Sequence, residues 1–280
     1  AGCDLWVMIS DRLTLPLLPL RRTALVAFDF LHRYEPRVIE EPGQVAAFLA
    51  ASQAADRVLV SSDFTAADAV NHAGLPASQV RRVPLLFSPP PPAPRDTRPA
   101  AEPATGGAYF LWSTNLGAHK NHDKALEALR IYYDDLGGRL ICAVTGVNSS
   151  RVLDDFEARN AARGQAGASR RLRRNLRLRG ELPESDYWRL LRGAAFLWHP
   201  TRVDNGTFGV VEAAQVGVPA LSSDYPAMRE MEQALALGLA WMDPRSARDM
   251  AAALSRMERD GAARRALLPR PEALEAYRLG

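Results

Sequence analysis

Short apolar runs alternate along this chain with stretches in which apolar positions recur every three or four residues. The first pattern is that of buried strands, the second that of amphipathic helices. In the larger part of the chain the reading predicts strands at 109–112, 139–145, 175–179, 195–199, 220–222 and 238–241. Helices are predicted between them at 122–135, 149–162, 185–192 and 208–216. Asn148 or Ser149 would cap the second helix, and Asp243-Pro244 is expected to open a last helix running to about residue 260. Strands alternating with helices imply a parallel sheet covered on both faces.

The smaller, amino-terminal part follows the same rhythm less completely. Strands are expected at 5–9, 23–28, 57–61 and 82–86, with helices at 44–55 and from Ser62 to Gly74. This is half of an α/β domain rather than a whole one. Between the parts, eight of the twenty prolines fall from Pro84 to Pro103, with Pro89 to Pro92 in an unbroken row. Such a stretch builds neither helix nor sheet interior and favours an extended connector. The expected organisation is therefore a partial α/β domain over 1–87, a proline-rich linker over 88–106 and a complete α/β domain over 107–280.

Composition narrows the class. With 280 residues, 47% hydrophobic and 24% charged, the chain can bury a real core. No apolar run reaches the ~18 residues of a membrane span; the run at 13–20 is broken by Pro16 and Pro19, and that at 234–242 is short. The two cysteines, Cys3 and Cys142, have no metal-ligand or disulfide spacing and suit a reducing cytoplasm. Of 35 basic residues only Lys120 and Lys124 are lysines, and the formal net charge is +3, too small to indicate a nucleic-acid partner. Arginines do cluster at 170, 171, 173, 174, 177 and 179, without aromatic residues for base stacking. A solvated face is the simplest reading of that cluster; attraction to anionic lipid headgroups at the inner face of a membrane is the alternative.

The candidate chemistry lies after the strand at 195–199. Asp204-Asn205-Gly206-Thr207-Phe208-Gly209-Val210-Val211-Glu212 forms a polar glycine loop leading into a helix, with a carboxylate one turn inside it. Loops after parallel strands are where such sheets bind ligands, and a helix start offers unpaired backbone N–H groups and the positive end of a dipole. Gly206 and Gly209 would let a ligand approach the backbone. Asp204 and Glu212 would flank one polar cleft. The simpler reading makes Asp204 a helix cap and Glu212 a surface residue.

This stretch resembles the signature of retaining glycosyltransferases of family 4, which have the two-domain GT-B fold. The two acids with seven residues between them match, and so does the continuation Gly217-Val218-Pro219 with Ser222-Ser223-Asp224. Val58 to Thr65, Val80 to Pro84 and Leu178-Arg179-Gly180-Glu181-Leu182 resemble other segments of the family, in its order. The resemblance implies that Glu212 binds the ribose hydroxyls of a nucleotide-diphosphate sugar and that Asp204, in place of the usual Glu, contacts the transferred sugar. It implies that the loop from Asn205 through Gly206, Thr207 and Phe208 to Gly209 holds sugar and phosphate oxygens. Lys120, in His119-Lys120-Asn121-His122, matches a lysine that binds the diphosphate, and Leu182 lies in a loop that meets the base. No metal or other cofactor is implied, and His119 with His122 lacks the carboxylates of a metal site.

Two departures stand out. Ser113, Thr114 and Asn115 occupy the place of a usual Arg, leaving Thr114 as an uncharged donor to phosphate. Phe28 precedes Asp29 where a His is common, and His32 follows four residues on. The implied activity is transfer of a sugar, from a donor such as GDP-mannose or UDP-glucose, to a glycan or lipid-linked acceptor in surface polysaccharide synthesis. The alternatives are a nucleotide-sugar-binding module without catalysis and, further off, an epimerase. A dinucleotide oxidoreductase is disfavoured, because no Gly-x-Gly-x-x-Gly follows a predicted strand.

Overall fold

The structure is a computed structural model that describes residues 4–9, 22–39, 41, 43–83, 87–92 and 107–279. Cys3, Pro16, Pro19 and residues 93–106 of the expected linker lie outside the described residues. Contacts divide the chain into two units. The first is Ala1–Leu86 with Val203–Gly206 and Pro226–Glu230; the second is Phe87–Arg202 with Thr207–Tyr225 and Met231–Gly280.

The first unit holds Trp6–Met8 (β1), Thr23–Val26 (β2), Gln44–Ala54 (α1), Arg57–Val60 (β3), Asp63–Asn71 (α2) and Val80–Arg82 (β4). The strands form one parallel sheet in the order β1-β2-β3-β4, with Leu25 opposite Val58 and Val58 opposite Val80. Alternate residues Leu25, Val58 and Val60 pack with Phe30, Phe48, Ala69 and Leu75 into its core. Ser62 opens α2 as expected, its Oγ accepting from Thr65 N at 3.0 Å. The last strand begins two residues before the expected 82, and residues 84–86 of that expected span lie outside the described residues. The ladder runs from Gln79, whose carbonyl accepts from Val58 N, to Val83, whose N–H donates to Val60 O.

The second unit is built from Tyr109–Ser113 (β5), His122–Asp134 (α3), Ile141–Thr145 (β6), Val152–Ala162 (α4), Arg170–Asn175 (α5), Leu176–Gly180 (β7) and Glu184–Arg192 (α6). It continues with Leu197–His199 (β8), Phe208–Gln215 (α7), Ala220–Ser223 (β9), Pro226–Leu235 (α8, whose first turn groups with the first unit), Ala240–Met242 (β10), Ala247–Arg265 (α9) and Pro271–Leu279 (α10). Its six parallel strands run β10-β9-β8-β5-β6-β7. One face of the central strands is aromatic: Phe110 stacks on Phe196 with centroids 4.9 Å apart, and Trp112 lies 5.1 Å from Trp198. Leu126, Leu129, Met250 and Leu254, from α3 and α9, cover these rings and exclude water.

Three helices were not foreseen: α5, α8 and α10. Nor does Asp243-Pro244 cap the long helix. Ser246 does, its Oγ accepting from Asp249 N at 3.1 Å, while Asp243 Oδ1 accepts from Arg245 N and shapes the turn ahead of it. Both units are Rossmann-like, each built on a parallel sheet.

Candidate active site

In the second sheet the strand order reverses at β5, with β6 and β7 on one side and β8, β9 and β10 on the other. Crossovers leaving in opposite directions open a crevice outside the carboxyl ends of the strands. There lies a hollow of about 260 Å³. Ser113, Thr114 and Asn115 line it at the end of β5, Gly146 and Val147 after β6, and His199 at the end of β8. Leu197 and Trp198 of β8, with Lys120, Tyr187, Thr207, Gly209 and Glu212, complete the wall.

Backbone packing makes the floor. Gly146 has φ +128°, and a Cβ there would stand 2.0 Å from the carbonyl oxygen of Thr114. Only glycine lets the loops after β5 and β6 meet this closely. Lys120 ends a short 3-10 turn, and Asn121 after it takes a left-handed conformation (φ 64°, ψ 31°). Asn121 Nδ2 donates to Pro200 O at 3.1 Å and Pro244 O at 2.8 Å, which holds that turn against the β8 loop. The Lys-Asn pair thus has a physical division of labour: Asn121 fixes the backbone and Lys120 brings the charge.

Glu212 projects from α7 into the same hollow, and Tyr187 OH donates to its Oε2 at 2.6 Å. Burial raises the Glu212 carboxyl above the ordinary carboxylate range, and Glu184 adds to the rise, while the Tyr187 bond opposes it. Burial and the facing Glu212 charge hold the Tyr187 phenol far above its usual value. Thr207 precedes α7 and its side chain makes no capping bond to the helix start, whose first N–H groups have no partner within the helix. An ammonium, a helix start and a half-buried carboxylate thus surround one small space. The first two suit an anion and the third suits hydroxyl donors.

The remaining sequence candidates are placed differently. Thr114 lines the hollow, but its hydroxyl is engaged by Asn115 O (3.1 Å) and His122 Nε2 (3.0 Å). Burial, reinforced by Arg159, pushes the His122 imidazole down to about 4, which keeps it neutral. Phe208 is 42% exposed, Leu182 is half-buried in the loop between β7 and α6, and neither lines the hollow. Asp204, Asn205 and Gly206 group with the first unit and are not in its lining. There, Asp204 is 8% exposed and its Oδ1 accepts from Asn205 N, while Asn205 Nδ2 donates to Phe28 O at 2.6 Å. His32 sits against His72, Nε2 to Nε2 3.1 Å, between Phe30 and Phe48. Among the described residues no three His, Cys, Asp or Glu side chains gather as metal ligands.

Sequence reasoning passed over Tyr187, Val147 and His199. Tyr187 sits within an amphipathic helix and reads as core. Gly146-Val147 carried one usable signal, its place directly after a predicted parallel strand.

Solved structures of the same architecture are numerous. Sucrose-phosphate synthase from Thermosynechococcus elongatus superposes with a TM-score of 0.73 at 14% identity, over 99% of this chain and 70% of its own. Anabaena HepE in complex with UDP-glucose gives 0.69 at 13% identity, over 92% and 67%. WaaG, a glycosyltransferase involved in lipopolysaccharide biosynthesis, gives 0.68 at 18% identity, over 93% and 74%. At such identities the likeness is one of fold, the GT-B architecture. A comparison with curated proteins found no match. The family profile described as glycosyl transferases group 1 matches residues 95–270, which include the strands of the second sheet and every residue that lines the hollow. On that match the chain belongs to the glycosyl transferases group 1 family.

Proposed function

We propose that this chain transfers a sugar, with retention of configuration, from a nucleotide-diphosphate sugar such as UDP-glucose or GDP-mannose to a glycan or lipid-linked acceptor. One observation carries the reading: Lys120, Glu212 and the start of α7 border a single hollow at the strand-order reversal. Glu212 accepts hydrogen bonds from the ribose hydroxyls. Lys120 and the N–H groups that begin α7 stabilise the charge that develops on the diphosphate as the anomeric C–O bond breaks. That transition state is oxocarbenium-like, as in glycoside hydrolysis. Asp204 orients the transferred sugar, assisted by the backbone from Asn205 to Gly209. Leu182 borders the base, and Thr114 shapes the floor. No metal takes part in this scheme.

HepE is described as a complex with UDP-glucose and WaaG as acting in lipopolysaccharide biosynthesis, which supports a nucleotide-sugar donor and a surface-glycan product. Such work would be done at the cytoplasmic face of a membrane; no described helix is long and apolar enough to cross one. Calorimetry with UDP and with GDP on the native chain, Glu212→Ala and Lys120→Ala tests the assignment. Binding of one nucleotide that weakens in both variants is the expected result. Unchanged affinity in both overturns it. A second reading, a nucleotide-sugar-binding module without turnover, draws support from Phe28 and from Ser113 to Asn115 in places where the resemblance calls for His and Arg. A transfer assay separates the two: binding without product would establish the module.

A further inference from the structure

At the amino ends of the same strands, away from the donor hollow, lies a second hollow of about 640 Å³. Ala108 precedes β5, Ile141 begins β6, and Asn175 adjoins β7; around this floor stand Arg139, Arg174 and Arg177 with one carboxylate, Glu258. That carboxylate is already used. Tyr132 OH donates to Glu258 Oε2 at 2.5 Å, and Arg139 donates to Oε1 through Nε at 3.2 Å. Glu258 therefore pins Arg139 at the rim.

Arg174 and Arg177 are held together instead, Arg177 Nη1 donating to Arg174 O at 2.5 Å. Among the described residues neither has an ion pair, whereas Arg173 on the same short helix pairs with Glu157. Arg170 and Arg171, one turn back, are exposed. Three arginines around a single carboxylate that is already paired leave this concavity with an excess of positive charge, and their planar forks match phosphate oxygens two at a time.

We propose that the hollow at the amino ends of β5, β6 and β7 is an anion site in which Arg139, Arg174 and Arg177 bind a phosphate-bearing ligand. The phosphate belongs either to a free phosphorylated compound or to a phospholipid headgroup, and the same three side chains serve both.

The experiment uses the full chain carrying Lys120→Ala, so that phosphate binding in the donor hollow does not intrude, with and without Arg174→Gln and Arg177→Gln. One arm titrates inorganic pyrophosphate by calorimetry. The other sediments the chain with vesicles of phosphatidylglycerol in phosphatidylcholine, against phosphatidylcholine alone. Loss of two charged hydrogen-bonding partners should weaken binding about tenfold or more. Pyrophosphate binding lost in the double variant supports the site and a soluble ligand. Sedimentation only with phosphatidylglycerol, lost in the double variant, supports the site and a lipid source. Binding that survives both substitutions, or no binding in either arm, overturns the proposal. Both arginines are partly or wholly exposed and glutamine keeps their reach, so the variants should fold; far-ultraviolet circular dichroism checks this.

Discussion

Removing one hydroxyl from the donor hollow, by Tyr187→Phe, should move the acid limb of nucleotide binding toward neutral pH. Burial raises the Glu212 carboxyl and Glu184 raises it further; the 2.6 Å bond from Tyr187 works against both. A hydrogen bond to a charged group contributes about 1.5–3 kcal/mol. Without it the opposing influence is gone, and Glu212 stays protonated to higher pH. Ribose hydroxyls need acceptors, and a protonated carboxyl offers fewer than a carboxylate. Affinity therefore falls as pH falls through the Glu212 pKa, and it falls sooner in the variant. Between the Glu212 pKa of the native chain and that of the variant the loss should be about tenfold or more. Stability carries the same logic. A carboxyl whose folded pKa exceeds its unfolded one loses stability as pH rises through the interval, so Tyr187→Phe costs more above that interval than in acid. Calorimetry of UDP and GDP binding, stepped from acid to neutral pH, reads the effect. Superimposable pH profiles for the two proteins would refute the coupling between the phenol and the carboxylate.

Other outcomes follow from the same geometry. Gly146→Ala forces a Cβ against Thr114 O and should cost more than about 2 kcal/mol while abolishing nucleotide binding, checked by urea unfolding and calorimetry. Asn121→Gly should retain more nucleotide affinity than Asn121→Ala, because glycine keeps the left-handed backbone although both lose the bonds to Pro200 and Pro244. Trp198→Ala, emptying a fully buried site, should destabilise the second unit by about 3–5 kcal/mol in denaturant titrations. His122, depressed from 6.5 to about 4, binds fewer protons folded than unfolded between those values. Its contribution is complete above pH 6.5 and is lost as pH falls toward 4, on the order of 3 kcal/mol. His122→Asn should flatten the pH dependence of unfolding across that window, and an unchanged slope would contradict the assignment.

Much of this arrangement could be read from residue order. The strands of the second sheet announce themselves through continuous apolar runs such as Phe110 to Trp112, because both faces of a parallel sheet are covered. Lys120 and Glu212 stood out because a lysine in an arginine-rich chain and an acid inside a glycine-led helix are unusual choices. What escaped did so for local reasons. Helix α5 has Leu172 as its single buried residue among arginines and shows no apolar stripe. Helix α8 starts on Pro226, which reads as a breaker unless it is placed in the first turn. The ends of β4 depend on its ladder partner β3, which no window of sequence contains. Tyr187 was invisible as a site residue because a phenol on the apolar side of a helix reveals its purpose only when Glu212 is seen opposite it.

The adjacent indoles of Trp112 and Trp198 have a practical consequence. Trp198 borders the donor hollow, and of the chain's five tryptophans only Trp6 belongs to the first unit. Intrinsic fluorescence is thus a built-in optical reporter for the second unit, able to follow nucleotide entry without an attached dye. In a melting experiment its signal tracks that unit, so comparison with far-ultraviolet ellipticity, which sees both, reveals whether the halves unfold together or in turn.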